Sequence, residues 1–215
     1  MRDLMEVKGV TKIRFFADPI CPWTWVSATY VIGAAKALGL EIEILPMSLK
    51  ILNENNDLKR EIKVKFDSIE PILQSMAYAA KTGRSDLSKK LYFETGYRLH
   101  SLKVDDIDMA VKEVHEKFPQ IFGEVEENAN LANDYLTQLH SEAMALVGPE
   151  VGSPVLHLFP DGGAIHGPII SKVLDDPAGE LLKSLITMSG FKEFSEIKRQ
   201  RFEELDTYVQ VMPVI

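Results

Sequence analysis

The sequence predicts a mixed α/β fold, because strand-type runs lie near both ends of the chain and helical periodicity fills the middle. Residues 12–17, KIRFFA, are rich in β-branched and aromatic residues, which favours a strand. From Pro22 to Leu38 the apolar residues recur at helical spacing, and residues 41–45, EIEIL, alternate with period two. These elements predict a β-α-β unit, which implies two parallel strands.

The remainder of the chain adds two further parts. Residues 57–147 favour helical periodicity over alternation throughout. Strand character resumes at 154–159 and 163–167, which a hairpin-like PDGG turn joins, and a last helical region covers 177–205. A thioredoxin-like domain interrupted by a helical insertion has this order of elements. A flavodoxin-like α/β domain is the alternative that periodicity leaves open.

Composition and charge exclude several classes of protein. The 215 residues predict one large domain or a domain with a substantial insertion. A net charge of −8 argues against binding to a nucleic-acid backbone, and the basic run KRQR at 198–201 is typical of a solvated helix face. No apolar run approaches the roughly 18 residues of a membrane helix. The N-terminal residues lack an export signal, and the single cysteine allows no internal disulfide, so we expect a cytoplasmic protein.

That single cysteine, Cys21, lies in ADPICPWTW, residues 17–25, just after a predicted strand. A lone cysteine usually packs as a small buried hydrophobe, and this is one interpretation. The position favours reactivity instead, because Pro22 suits the first position of the following helix. Unpaired N–H groups and the positive end of the helix dipole would then stabilise the thiolate, which is the nucleophile of disulfide exchange.

Thr24 stands where a dithiol enzyme has its resolving cysteine. A monothiol can still attack a disulfide, but an outside thiol must complete the cycle. The Thr24 hydroxyl has two alternative roles at this position. It donates to the Cys21 sulfur and stabilises its anion, or it only caps its own helix or bonds back onto it.

Ser153-Pro154 precedes the third predicted strand. A proline before a strand is usually only a chain-bend signal. In a thioredoxin-like fold, a cis X-Pro bond at this place presents the preceding backbone to an extended thiol substrate. We therefore predict that this bond is cis and lies against Cys21.

These motifs together resemble the DsbA-like thioredoxin-fold family, and within it the actinobacterial mycothiol-dependent nitroreductase group. The matching stretches run from residue 16 to residue 172 and are FADPICPWTWV, MSLKILNEN, RLH, VGSPVLHL and GPIISK. The resemblance implies a discontinuous thioredoxin-like (DsbA-type) domain of residues 1–52 and 148–215. It also implies an all-helical insertion domain at 53–147, packed over the Cys21 edge of the sheet.

The resemblance further implies roles for individual residues. Cys21 is the nucleophile, and Thr24 is its catalytic partner in a CPWT motif that stands in place of the group's CPWC. Trp23 forms an aromatic wall, Ser153-Pro154 forms the substrate platform, and the "LNEN" and "RLH" motifs each add one polar residue. The substrate-binding residues implied in this way are Pro22, Trp23, Asn53, His100, Ser153 and Pro154.

We therefore predict a cytoplasmic thiol–disulfide oxidoreductase that works as a monothiol through Cys21. It binds no cofactor tightly and uses a low-molecular-weight thiol such as mycothiol as co-substrate. We expect no nucleic-acid or membrane partner. We also expect no metal site, since the five histidines lack the paired spacing of metal ligands. The sequence leaves open whether the protein forms a homodimer. One alternative is an enzyme similar to kappa-class glutathione transferase or hydroxychromene-carboxylate isomerase, which activates a bound thiol. The other is a redox-inactive thioredoxin-fold binding protein.

Overall fold

A four-stranded sheet organises the chain. The computed structural model describes residues 9–160, 162–201, 203–210 and 212; residues 1–8, expected to carry no export signal, lie outside this description. The sheet consists of β1 (Val10–Ala17), β2 (Glu41–Pro46), β3 (Val155–Pro160) and β4 (Ala164–His166) in the spatial order β2-β1-β3-β4. Strands β1 and β2 are parallel, whereas β1 with β3 and β3 with β4 are antiparallel.

Helices surround this sheet and fill the chain between β2 and β3. Their bounds are α1 (Pro22–Ala37), α2 (Leu49–Leu52), α3 (Arg60–Lys81), α4 (Ser85–Gly96), α5 (Ile107–Lys117), α6 (Pro119–Glu127), α7 (Ala129–Val147) and α8 (Glu180–Ser189). A π-helical turn, Tyr97–Ser101, continues from α4. Across the described ranges, none of these helices combines the length and apolarity needed to cross a bilayer.

The predicted β-α-β unit is confirmed, with β1 and β2 parallel on either side of α1 in the chain. The last helical prediction, 177–205, is wrong over most of its length. Helix α8 ends at Ser189, and residues 191–201 and 203–205 form no helix. Phe191 and Ile197 are 62% and 76% exposed. Helical periodicity does not hold a helix together in water without an apolar face to bury.

The central strand β1 is buried toward its carboxyl end, where Phe15, Phe16 and Ala17 are fully inaccessible. Burial on both faces is expected of a strand that helices cover on either side. Helices α3, α4 and α7 pack against the strands, and their buried side chains join those of the sheet in one continuous apolar cluster. This core fixes the position of the carboxyl end of β1 relative to the start of α1.

Candidate functional site

Cys21 lies in the tight connection between β1 and α1. Its backbone N–H donates to the Asp18 carbonyl at 3.1 Å, and its own carbonyl accepts from Trp25 N–H at 3.0 Å, so it is the residue that caps α1. Pro22 occupies the first helical position, as expected, since a proline there removes an N–H that the helix could not use. The Cys21 side chain is half-buried at the start of the helix.

The pKa of Cys21 differs in direction from what the helix start alone predicts. Burial of the thiol raises its pKa above the ordinary value; hydrogen bonds from Thr24 and Trp23 lower it, and the Asp18 charge raises it further. The helix start therefore contributes as expected, but the loss of solvent around the sulfur outweighs it. The sequence argument considered only the helix start and not burial, which penalises the charged form.

Thr24 is fully buried, and its hydroxyl bonds outside its own helix. Oγ1 of Thr24 donates to Oγ of Ser153 at 2.9 Å. A threonine that bonded back onto its helix would instead donate to a carbonyl one turn earlier. The Thr24 hydroxyl thus has Ser153 as its partner, which is neither of the two roles considered for it.

The Ser153–Pro154 peptide bond is cis. Ser153 is 5% exposed, and its Oγ accepts the Asp18 backbone N–H at 3.1 Å in addition to bonding Thr24. The Pro154 carbonyl accepts from Gly167 N–H at 2.9 Å. The two hydrogen bonds of Ser153 therefore tie the loop before β3 to Asp18, which follows β1, and to the first turn of α1.

Asp18 is a buried carboxyl group that the sequence does not single out. Its Oδ1 accepts from Ile20 N–H at 3.0 Å and its Oδ2 from Leu49 N–H at 2.8 Å, so it joins the Cys21 loop to the start of α2. The side chain has no solvent exposure. Burial raises the pKa of Asp18 to about 6, although both backbone hydrogen bonds oppose the shift.

Tyr92 adds a second buried titratable group beside Cys21. It lies in α4 with no solvent exposure, and its hydroxyl has no hydrogen-bond partner within the described part of the chain. Burial raises the pKa of Tyr92 well above its ordinary value, and the charges of Cys21 and Asp18 raise it further. The hydroxyl therefore stays protonated and faces the same buried region as the thiol.

His100 holds the backbone just before Cys21. Its Nε2 lies 2.8 Å from the Pro19 carbonyl, which can only accept, so Nε2 carries the proton. Burial lowers the pKa of His100 to about 4, so the ring is neutral near pH 7. Its ring centroid lies 6.2 Å from that of Trp25, which is fully buried in α1. The ring thus fixes the loop, with its one assigned hydrogen bond made to backbone.

Thr207, in the segment that follows α8, hydrogen-bonds both the Trp25 side chain and the π-helical turn. The Thr207 carbonyl accepts from Trp25 Nε1 at 3.0 Å and from Ser101 Oγ at 3.1 Å. The Thr207 hydroxyl donates to the His100 carbonyl at 2.7 Å. Residues after α8 therefore support the π-helical turn and the aromatic side chain of α1 at once.

Two predicted contact residues have different surroundings. Trp23 is half-buried, and the Arg201 guanidinium lies 4.4 Å from its ring centroid, so the basic run 198–201 is not the plain solvated helix face that the sequence predicts. Asn53 caps the far end of α2, where its Nδ2 donates to the Leu49 carbonyl at 2.8 Å and its Oδ1 accepts from Asn56.

A direct hydrogen bond joins Thr24 to Ser153, and Cys21 caps the same helix one turn before Thr24, with Pro22 and Pro154 adjacent in the chain. His100 reaches the group through Pro19, whereas both polar ends of Asn53 bond within its own turn. The residues that sequence reasoning missed are Asp18, Tyr92 and Arg201. Two surface cavities, of about 240 and 340 Å³, are lined by other residues.

Residues 20–199 match the family model described as Rv2466c-like, mycothiol-dependent nitroreductase Rv2466c. The match covers more than four fifths of the chain. It includes the Cys21 connection, all helices from α1 to α8 and the Ser153–Pro154 loop.

Proposed function

The chain belongs to the Rv2466c-like family, and on that premise we propose that it is a thiol–disulfide oxidoreductase that uses Cys21 as its one nucleophile. Mycothiol or a similar low-molecular-weight thiol serves as co-substrate, in keeping with the family's description as mycothiol-dependent. The reaction takes place in the cytoplasm. Residues 1–52 and 148–215 form the DsbA-type domain, and 53–147 form its helical insertion.

The observation that carries this proposal is the fully buried Thr24 at the position of a resolving cysteine, where its hydroxyl bonds Ser153 and its hydrogen bonding lowers the pKa of the Cys21 thiol. It supports a site in which a hydroxyl takes the place of the resolving thiol. A hydrogen bond to a thiolate favours the charged form and so favours nucleophilic attack. The same hydroxyl cannot form a second disulfide, so the cycle has to be completed by an external thiol.

The proposed exchange proceeds in two steps. The Cys21 thiolate attacks one sulfur of a disulfide RS–SR′, a Cys21–SR bond forms, and R′S⁻ leaves and takes a proton from solvent. A second small thiolate, R″S⁻, then attacks the R sulfur and releases the Cys21 thiolate and RS–SR″. Each step breaks one S–S bond and forms another, so no electrons are gained or lost overall.

The other predicted residues receive supporting roles. The backbone before Pro154 pairs with the extended disulfide substrate, and the Trp23 ring forms one wall beside it. The Arg201 side chain covers one face of that ring. His100 fixes Pro19 and thereby the approach to Cys21, while Asn53 contacts substrate only if its bonds within α2 open.

Intact-mass measurement tests the proposal. The protein is incubated with mycothiol disulfide, separated from it, and weighed over time without added thiol. We expect one adduct on the natural protein, none on Cys21→Ser, and release of the adduct only when free thiol is added. Persistent absence of an adduct would instead favour the binding-protein alternative.

Thr24→Cys provides the gain-of-function comparison. The first and fourth residues of the motif lie within bridging reach on one helical turn. The introduced thiol should therefore attack the mixed disulfide and form an internal disulfide with Cys21, which shortens the adduct lifetime at matched pH. Equal lifetimes in the two proteins would contradict the monothiol interpretation.

A further inference from the structure

The basic run at 198–201 places a cation against the candidate site. The Arg201 guanidinium lies 4.4 Å from the ring centroid of Trp23. Trp23 stands in the first turn of α1, two residues after Cys21, which caps that helix. A cation over an aromatic face is attracted by the quadrupole of the ring. Arg201 therefore reaches the start of α1 from the irregular segment that follows α8.

The chain just after Arg201 is anchored to the rest of the molecule. The Asp206 backbone N–H donates to the Ser171 carbonyl at 2.7 Å. The next residue, Thr207, accepts from Trp25 Nε1 at 3.0 Å through its carbonyl. These hydrogen bonds hold the segment close to α1, so the contact of Arg201 with Trp23 belongs to a fixed part of the fold.

The charge of Arg201 is not neutralised by a neighbouring carboxylate. Arg14 and Arg84 also lie over aromatic rings, but each of them forms an ion pair with a glutamate. Arg201 is exposed and forms no ion pair with any carboxylate of the described ranges, including Glu203 and Glu204 beside it in the chain. Contact with a ring leaves the N–H donors of a guanidinium available for two parallel hydrogen bonds to a carboxylate.

The sign of this charge is opposite to that of the chain as a whole, which carries a net charge of −8. A strongly acidic protein repels anions on average, so a local cation has a large effect on which anions come close. In the proposed exchange, the Trp23 ring forms one wall beside the disulfide substrate. A cation on that wall therefore acts on the group that the reacting sulfur carries.

We propose that Arg201 is a specificity-determining residue that binds a carboxylate on the disulfide substrate of Cys21. This inference rests on the proposed function, in which Cys21 is the nucleophile and Trp23 lines the substrate. The steps of the exchange are unchanged. Arg201 binds the R group of RS–SR′ and favours a substrate with a carboxylate close to its sulfur over a neutral substrate of the same size.

Competition between iodoacetate and iodoacetamide for Cys21 tests this proposal without any disulfide exchange. The two reagents have nearly the same shape, but only iodoacetate carries a carboxylate. Both react with the thiolate, so the ratio of their rates is independent of the thiolate fraction and of any change in the thiol pKa. Arg201→Gln should lower the ratio of the iodoacetate rate to the iodoacetamide rate about threefold at about pH 8.

Two variants separate a local contact from a general effect of charge. Arg199→Gln makes the same change of charge two residues earlier in the basic run and should alter the ratio by less than about 1.5-fold. Arg201→Lys keeps the charge and should keep more than about half of the natural preference. Raising the salt from about 0.05 to about 0.5 M should bring the ratio of the natural protein close to that of Arg201→Gln.

Three dialkyl disulfides of different charge extend the test to the proposed reaction. Mixed-disulfide formation is followed by intact mass with dithiodipropionate, hydroxyethyl disulfide and cystamine, which are anionic, neutral and cationic. Arg201→Gln should slow the reaction with dithiodipropionate about threefold, leave that with hydroxyethyl disulfide unchanged and speed that with cystamine. If none of the three forms a mixed disulfide while Cys21 is still alkylated, the proposed function fails, and the alkylation ratio still decides the role of Arg201.

Three results would overturn the inference about Arg201. One is an equal alkylation ratio in the natural protein and in Arg201→Gln. Another is an equal fall of the ratio in Arg199→Gln, which would assign the effect to the basic run as a whole. The third is a Cys21 thiol that neither reagent alkylates, because a carboxylate bound at Arg201 could then not be attached to a reacting group. Since Arg201 is exposed, Arg201→Gln should fold, and an unchanged iodoacetamide rate verifies this.

Discussion

Replacing Asp18 with asparagine should change how the stability of the protein depends on pH. The folded protein raises the pKa of Asp18 from 3.8 to about 6 because the carboxyl group is buried. The proton is therefore held more tightly in the folded state. The stability that this provides is complete below pH 3.8 and is lost as the pH rises through about 6.

The shift of about two pKa units corresponds to about 3 kcal/mol in the free energy of unfolding. Most of it, about 2–3 kcal/mol, falls between about pH 4 and about pH 7.5. The Asp18→Asn variant has no such titration, since an amide does not ionise. Its free energy of unfolding, minus that of the natural protein, should therefore rise by this amount across the interval.

Urea unfolding followed by tryptophan fluorescence measures this difference at several pH values. A difference that stays constant, or falls as the pH rises, would show that Asp18 does not titrate as a buried acid. Asp176→Asn is the matched control. Hydrogen bonds from the Leu181 and Glu180 amides lower the pKa of Asp176, so both its folded and unfolded pKa values lie below the interval and its difference should stay flat.

Three further substitutions test the support of the site. Gly96→Ala would place a Cβ 2.5 Å from a ring carbon of buried Trp25 and should destabilise by about 1–3 kcal/mol in urea unfolding. Gly33→Ala, with open space around its Cβ and a position inside α1, should stabilise by about 0.5–1 kcal/mol; loss of stability there would contradict the helix-propensity argument. His100→Leu leaves the Pro19 carbonyl unpaired and should cost about 1–2 kcal/mol at about pH 7.5. The free energy of unfolding of the natural protein, minus that of His100→Leu, should fall as the pH falls from 6.5 toward 4, because only the natural protein has a histidine that must stay neutral; a constant difference would refute this.

The first β-α-β unit could be predicted to within two residues because its signals are local. KIRFFA and EIEIL carry the strand pattern in their own residues, and Pro22 marks the start of α1. The tail beyond α8 could not be predicted in the same way. Its apolar residues do recur at helical spacing, but Ile197 has no core to pack against. Whether a core lies beside a residue is decided by the fold and not by the local sequence.

The candidate site likewise contains residues that the local sequence predicts and residues that only the fold brings together. Cys21 and Thr24 are visible because four consecutive residues form a motif. Asp18 is three residues away from Cys21 in the chain, but its hydrogen-bond partners Leu49 and Ser153 are brought to it only by the fold. The same holds for the raised pKa of Cys21, since no local pattern states how much solvent the sulfur loses.

The hydrogen bonds of Thr207 have a practical consequence for anyone who prepares the protein. Chain termini are the customary place for purification tags and fusion partners, because they are usually loosely held. Here the carbonyl of a residue near the C-terminal end accepts from the Trp25 indole, and its hydroxyl bonds the backbone of His100. A tag or truncation that pulls Thr207 away would leave the Trp25 indole, the Ser101 hydroxyl and the His100 carbonyl without these bonds. Thiol reactivities measured on differently tagged preparations are therefore comparable only after the tag has been removed.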